Sequence, residues 1–264
     1  MVAEVVGGLI SGSLALLADA GHMLTDFAAL SMAWAAFAVM DRGPTPRLSF
    51  GWGRISVLAA FVKGLTLFGV AAWIMWEAVE RFRDPAEVLA GPMLAVAVAG
   101  LVVNAVVFAI LVTGERDNLN MRGAILHVVG DMLGSVAAIA AAVIILATGW
   151  YLADPILSVL VALLILRSAA FLVRDSGHIL MEGVPPGLEG DVLAEDLRAH
   201  VPGLAELTDI HAWAITDDQP MATVLAVAEP GTAREDLREA IKARLRRRFG
   251  VAHAIVEIRE QVQP

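Results

Sequence analysis

The sequence predicts an α-helical polytopic membrane protein that ends in a small α+β domain. Three observations lead there. Of the 264 residues, 58% are apolar and the mean hydropathy is +0.72, whereas soluble domains run near ~45–50% apolar. Apolar runs of about 20 residues, the length that crosses a hydrocarbon core, recur as far as Val173. Around Phe171-Leu-Val-Arg-Asp175 the composition then breaks: charges become frequent, and helical periods alternate with short strand-like runs.

Five complete spans follow, at about 14–40, 55–76, 88–113, 123–148 and 155–173. Val88 to Thr113 and Met132 to Ala153 carry no charge at all, Ile55 to Trp76 carries only Lys63, and Pro155 to Val173 carries only Arg167. Leu14 to Met40 holds Asp19, His22 and Asp26. Met1 to Ile10 is apolar apart from Glu4 and about half the length of a span. It is either an interfacial stub or the remnant of a first helix whose beginning is missing, through a truncation or a misassigned start. No basic segment with a small-residue cleavage site precedes the spans, so no signal peptide is expected. Residues 1–173 are thus expected to form a transmembrane domain and residues 174–264 a cytosolic one.

In the tail, Gly187 to Val201 reads as an amphipathic helix and Leu207 to Thr216 as a strand. Ala222 to Ala228 is a second strand, set off by the turn-prone Asp217-Asp-Gln-Pro220. Ala233 to Phe249 is a charged helix, and His253 to Arg259 a last strand. This α-β-β-α-β order suggests helices packed on one face of a sheet.

Charge sets the orientation and removes some functions. Arg174 to Pro264 holds 10 basic and 16 acidic residues, which is −6 of the net −9. An acidic tail speaks against nucleic acid as a partner. With no cysteine, any bound metal is held by nitrogen and oxygen. Arg42, Arg47, Arg54, Arg116 and Arg122 lie in loops on the same side as the tail, against Arg81 and Arg83 opposite, which favours a cytoplasmic tail. The compact chain and short loops suggest a bacterial inner membrane.

The chemistry lies in two pairs of equal spacing, His22-x-x-x-Asp26 and His127-x-x-x-Asp131. Ionisable groups at membrane depth are costly and mark an ion or substrate pathway. A spacing of four puts His and Asp one turn apart on one helix face. Two such helices facing each other would present two imidazoles and two carboxylates, a shell that suits tetrahedral Zn²⁺ better than the all-oxygen sites of Ca²⁺ and Mg²⁺. Polar residues can also merely bond helices together, but the repeat of one spacing on separate spans favours ligands.

These residues sit in longer motifs. Gly12-Ser-Leu-Ala-Leu-Leu-Ala-Asp-Ala-Gly-His-Met-Leu-Thr-Asp26 resembles the second transmembrane helix of the cation diffusion facilitator family. Ser49-Phe-Gly-Trp-Gly-Arg54 is similar to its loop entering the third helix. Asn120-Met-Arg-Gly-Ala-Ile-Leu-His-Val-Val-Gly-Asp-Met-Leu-Gly-Ser135 resembles the fifth helix, Asp154-Pro155 the start of the sixth, and Asp209-Ile-His-Ala-Trp213 the cytosolic domain. The resemblance implies six helices, a homodimer, a ferredoxin-like cytosolic domain, and metal efflux by proton antiport. It implies zinc as the transported substrate, with cadmium or cobalt tolerated, and no organic cofactor. Against that pattern most of the first helix is missing, with only Val2-Ala-Glu-Val-Val-Gly-Gly8 of its end present. The His-rich loops of some relatives are absent as well, one of them replaced by Gly114-Glu-Arg-Asp-Asn118.

Further polar residues follow from position. Asp19 either orients the His22 imidazole or is a charge near a helix start. Lys63 either snorkels or pairs with a carboxylate, Asn104 lies inside a span, and Glu4 could face the metal path. His200 reads as solvated, and Arg244 to Arg248 as the solvated face of a helix, with an anionic-lipid contact as the alternative. By resemblance, His211, His253 and Glu260 fall where relatives bind metal at a dimer interface. Leu225 stands where many relatives have a further His, so a weak cytosolic site is expected. The leading function is Zn²⁺ export in exchange for H⁺. An intramembrane metalloenzyme is disfavoured because no His-Glu-x-x-His is present. A non-transporting metal sensor or partner subunit is the alternative, motivated by the incomplete first helix.

Overall fold

The computed structural model describes residues 1–40, 45–113 and 119–260. Arg42 and the Gly114 to Asn118 loop lie outside the described residues, as do the side chains of Arg122 and Glu260. The chain divides into two compact units, Met1–Ser31 with Val62–Leu172, and Met32–Phe61 with Val173–Pro264.

Six helices come first: α1 (Val2–Ser11), α2 (Leu14–Met40), α3 (Arg54–Arg83), α4 (Ala90–Thr113), α5 (Leu119–Thr148) and α6 (Ala153–Leu180). Among the described residues α3, α4, Ala124–Thr148 of α5, and α6 are long and apolar enough to cross a membrane; α2 is a single helix of 27 residues. The ends follow local chemistry. Gly12 closes α1 with φ +69°, the left-handed geometry that glycine adopts without a Cβ penalty. Asp84-Pro85 stops α3, because the residue before proline is pushed out of the helical region. Pro155 enters α6 in its first turn, where no amide hydrogen is needed.

Helices α3 and α6 run past the expected limits of their spans, to Arg83 and Leu180 instead of about 76 and 173. The apolar run marks the part that lipid accommodates. It does not end a helix, because Glu77, Glu80 and Arg81, or Arg174 and Asp175, continue the helical turns into polar surroundings.

Within the first unit the helices meet through small residues. Ala15, Ala90, Ala97, Ala138, Ala141 and Ala142 pack with Leu16, Met93 and Ile145. Leu67 and Ala71 of α3 meet Ala137 of α5 and Val161, Ile165 and Ala169 of α6, and Leu14 and Ala18 of α2 meet Ile74, Ala78 and Ala162. Small side chains let backbones approach closely where lipid supplies no hydrophobic drive for association. Large apolar groups such as Trp76, Val103, Ile110, Leu126 and Leu160 are exposed, as lipid-facing residues should be.

One end of this unit is held by a buried carboxylate. Asp154, fully buried, accepts hydrogen bonds from Ser13 Oγ at 2.7 Å, Leu14 N at 2.7 Å and Ala15 N at 3.2 Å. It therefore caps the first turn of α2 from another helix and meets the helix's positive end. Arg81 completes the cluster, 3.3 Å from Asp154 Oδ2, and donates to Gly12 O at the end of α1. In the sequence Asp154 stands out only through the Asp-Pro pair. Nothing in the spacing announces partners 140 residues away.

In the second unit α7 (Gly190–His200), β1 (Leu204–Ala214), β2 (Pro220–Ala228), α8 (Arg234–Phe249) and β3 (His253–Glu260) give the expected α-β-β-α-β order. The sheet order is β1-β2-β3, with β1 antiparallel and β3 parallel to β2. Leu193, Leu197, Leu237, Ile241 and Leu245 of the helices cover Ala222, Val224, Ala226, Val256 and Ile258. Strand β1 lies earlier than expected, ending at Ala214, because Ile215 N and Gln219 N enter a turn by bonding Gln219 O and Thr216 O. Helix α7 starts later, after Gly187 at φ +80°. Across the two helices, Arg244 grips Asp196, with Nε 2.7 Å from Oδ2. That guanidinium holds the Asp196 carboxyl below the usual carboxylate range. Arg244 is thus engaged with α7, which corrects its expected place on a wholly solvated face.

Candidate functional site

The two His-x-x-x-Asp pairs meet inside the first unit. Each residue of the set His22, Asp26, His127 and Asp131 offers one ligand atom within 4.8 Å of all the others. His22 and Asp26 lie one turn apart on α2, His127 and Asp131 one turn apart on α5, and the two helices present these turns to each other. Asp26 Oδ2 stands 3.5 Å from His22 Nε2 and 3.0 Å from His127 Nε2. Asp131 reaches His22 Nε2 through Oδ1 at 3.7 Å and His127 Nε2 through Oδ2 at 3.8 Å. The imidazole centroids are 5.6 Å apart.

These separations decide what the cluster can hold. Four ligands at ~2.0–2.1 Å in a tetrahedron lie about 3.3 Å from one another. The observed nitrogen–oxygen edges straddle that value. Buried polar atoms normally find partners, yet His22 Nδ1 and Asp131 Oδ1 are buried without a hydrogen bond.

The surrounding polar residues separate into distinct roles. Lys63 of α3 pairs with Asp26, Nζ to Oδ1 at 2.7 Å; of its two expected fates, pairing with a carboxylate is the one realised. Asp19 is buried and packs on α5, where a Cβ at Gly134 would stand 3.2 Å from its Oδ1. It faces the bundle interior. Glu4 is buried too, and a Cβ at Gly100 would come within 2.9 Å of its Oε1 and 3.6 Å of Ser135 Oγ. Asn104 is buried with Nδ2 unpartnered. Tight glycine contacts thus bring polar side chains of α1, α2 and α5 into the helix bundle. A sequence-only reading cannot see these contacts, because the signal is the absence of a side chain on the partner helix.

The second unit gathers its histidines less closely. His211 sits opposite Thr223 on β1, and His253 opposite Met221 on β3, so β2 separates them and the strands lie about 10 Å apart. His211 Nε2 pairs with Asp209 Oδ1 at 3.0 Å while both remain exposed. His253 meets the Phe50 ring edge at 6.4 Å. Leu225 occupies the neighbouring place on β2, opposite Asp209. Among the described residues, the intramembrane set is the group of metal-ligating side chains brought within reach of one ion.

Comparison with known proteins places this geometry in context. Residues 1–181 match the family model described as the cation efflux transmembrane domain. A protein named zinc transporter ZitB from Pectobacterium atrosepticum is 48% identical over 262 residues, covering 99% of this chain and 82% of that protein. Its namesake from Escherichia coli is 47% identical over 262 residues, covering 99% of this chain and 83% of its own length. A protein of Bacillus subtilis named cadmium, cobalt and zinc/H(+)-K(+) antiporter is 38% identical over 263 residues, covering 98% and 84%.

Proposed function

The chain belongs to the cation efflux family, the cation diffusion facilitators, and from that premise we propose that it carries Zn²⁺ out of the cytoplasm in exchange for H⁺. The observation that carries the proposal is the His22, Asp26, His127 and Asp131 set, whose edges of 3.0 to 3.8 Å suit a tetrahedral ion. Relatives named for zinc transport and for antiport of cadmium, cobalt and zinc with H⁺ and K⁺ support the same reading. Cd²⁺ and Co²⁺ are the natural competitors.

The coupling follows from the ligands. Histidine titrates near neutrality, and an imidazole binds metal only when it is unprotonated. Arrival of Zn²⁺ therefore displaces protons from the site, and protonation from the far side releases Zn²⁺. Two carboxylates balance the charge of one divalent ion, so the loaded tetrad is neutral before Lys63 is counted. Movement of α2 and α5 relative to their neighbours would open the site alternately to either side. In this reading the tail faces the cytoplasm, residues 1–173 span the membrane, and two copies associate through the sheet face that α7 and α8 leave uncovered, where Ile255 is exposed.

Proteoliposomes test the proposal directly. With an acidic lumen, external Zn²⁺ is expected to enter on addition and lumenal pH to rise with it. Flux that is indifferent to the pH gradient would end the antiport reading, and absence of flux would end the transporter reading.

The tail is expected to bind zinc weakly. Structural zinc sites take four protein ligands, whereas His211 and His253 lie on non-adjacent strands and Leu225 offers no ligand atom. Glu260 is the remaining contributor from the tail. Calorimetric titration of residues 174–264 with Zn²⁺ should give weak or no binding. Tight binding that His211→Ala abolishes would make the tail a zinc-regulated clamp instead.

A further inference from the structure

We propose that Lys63 sets the metal preference of the intramembrane site by occupying one oxygen of Asp26, which leaves that carboxylate able to offer only its other oxygen to the ion. The inference rests on the reading of the tetrad as the transport site and goes beyond it, since Lys63 donates no electron pair to the metal in this arrangement. Its role is positional.

The geometry divides Asp26 in two. Oδ2 faces the ligand cluster, 3.0 Å from His127 Nε2 and 3.5 Å from His22 Nε2. Oδ1 faces α3, where Lys63 Nζ stands 2.7 Å away. The pair is partly enclosed, with 24% of the Lys63 side chain and 12% of the Asp26 side chain exposed. At that depth an ammonium held by a carboxylate is screened much less than on a surface. Lys63 lies nine residues inside a helix of 30, about 13 Å from its first residue at 1.5 Å per residue. Gly21 of α2 packs on Val70 of α3, where an added Cβ would come within 3.1 Å. This close approach of α2 and α3 keeps Lys63 within reach of Asp26.

Coordination number is the consequence. With Oδ1 held by Lys63, Asp26 contributes a single oxygen, and the four residues at one ligand atom each give the number that Zn²⁺ prefers. Freed of Lys63, Asp26 could bind through both oxygens and add one donor to the shell. Larger or oxygen-preferring ions gain most from that change: Mn²⁺ favours octahedral oxygen shells, and Cd²⁺ is larger than Zn²⁺. The positive charge also lowers affinity for every divalent ion. A change in overall affinity is therefore uninformative, and the ratio between ions is the quantity to read.

The full-length protein in detergent, titrated with Zn²⁺, Mn²⁺ and Cd²⁺ in competition with a chelating dye, supplies the test. Lys63→Met keeps the side chain as far as Cε and removes its charge and donors. It should lower the ratio of the Mn²⁺ to the Zn²⁺ dissociation constant by about tenfold, the lower end of what removing an outer partner of a ligand does to metal affinity. The Cd²⁺ ratio should fall in the same direction. Lys63→Gln repeats the test should Lys63→Met fail to fold, and Lys63→Arg should keep the wild-type ratio. Unchanged ratios in both neutral variants would overturn the proposal, as would an equal shift in Lys63→Arg. His127→Ala separates the two levels of argument. If it leaves Zn²⁺ affinity intact, the reading of the tetrad falls and the role of Lys63 with it. If it removes Zn²⁺ binding while the Lys63 variants leave the ratios unmoved, only the role of Lys63 falls.

Discussion

Asp131→Ala is expected to abolish Zn²⁺ transport while leaving the protein folded. In the proposed site Asp131 is one of four ligands, and like Asp26 it faces both histidines, at 3.7 and 3.8 Å. Its loss should weaken binding by more than the ~10–100-fold that follows removal of an outer partner. Stability points the other way. Asp131 is buried, and Oδ1 has no hydrogen-bond donor. Burying a polar group without a partner is unfavourable by about 1–3 kcal/mol, so the alanine should leave the melting temperature unchanged or raise it. Metal tolerance of a host lacking its zinc exporters, read beside a thermal melt of the purified variant, checks both halves. A variant that still protects the host would remove Asp131 from the site, and one that fails to fold would show its role to be structural.

The same contrast explains what could be read from the sequence. Spans, helix order and the α-β-β-α-β tail follow from hydrophobic period and turn residues, which act over a few positions. The tetrad was legible because its spacing of four is local and occurs twice. Legibility stopped where distant helices supply the partner. Lys63 could be seen as a charge in an apolar run, but its choice of Asp26 over the interface depends on α2 and α3 packing through Gly21 and Val70. Asp19 was ambiguous for the same reason: its place against Gly134 is a property of α5. Helix ends cannot be read from hydropathy, which reports the solvent around a helix, and the backbone of α6 continues through Arg174 and Asp175 without regard to it.

Asp154→Ala should have the opposite profile to Asp131→Ala, with the largest loss of stability of the substitutions considered. Asp154 is fully buried and satisfied on every side, by Ser13 Oγ, Leu14 N, Ala15 N and Arg81. Removing it leaves two amide hydrogens at the start of α2 without an acceptor and leaves the Arg81 guanidinium with Glu77 alone as its counter-charge. Breaking a buried pair by deleting one partner is unfavourable by about 3–5 kcal/mol, more than the ~1.5–3 kcal/mol expected for Ser13→Ala, which removes the hydroxyl's bond to the Asp154 carboxylate and its acceptance from Leu16 N. Asp154→Asn should lie between them, since it keeps an acceptor for the helix cap and loses the charge that answers Arg81. Melting temperatures in detergent should therefore fall in the order Ser13→Ala, Asp154→Asn, Asp154→Ala, with membrane abundance following. Zn²⁺ affinity of whatever Asp154→Asn protein folds should stay near wild type, because the ligand turns begin at His22, two turns further along α2. An Asp154→Ala protein that melts with the wild type would show that the cap contributes nothing to the fold. A folded Asp154→Asn protein that cannot bind zinc would show that the start of α2 positions its ligands.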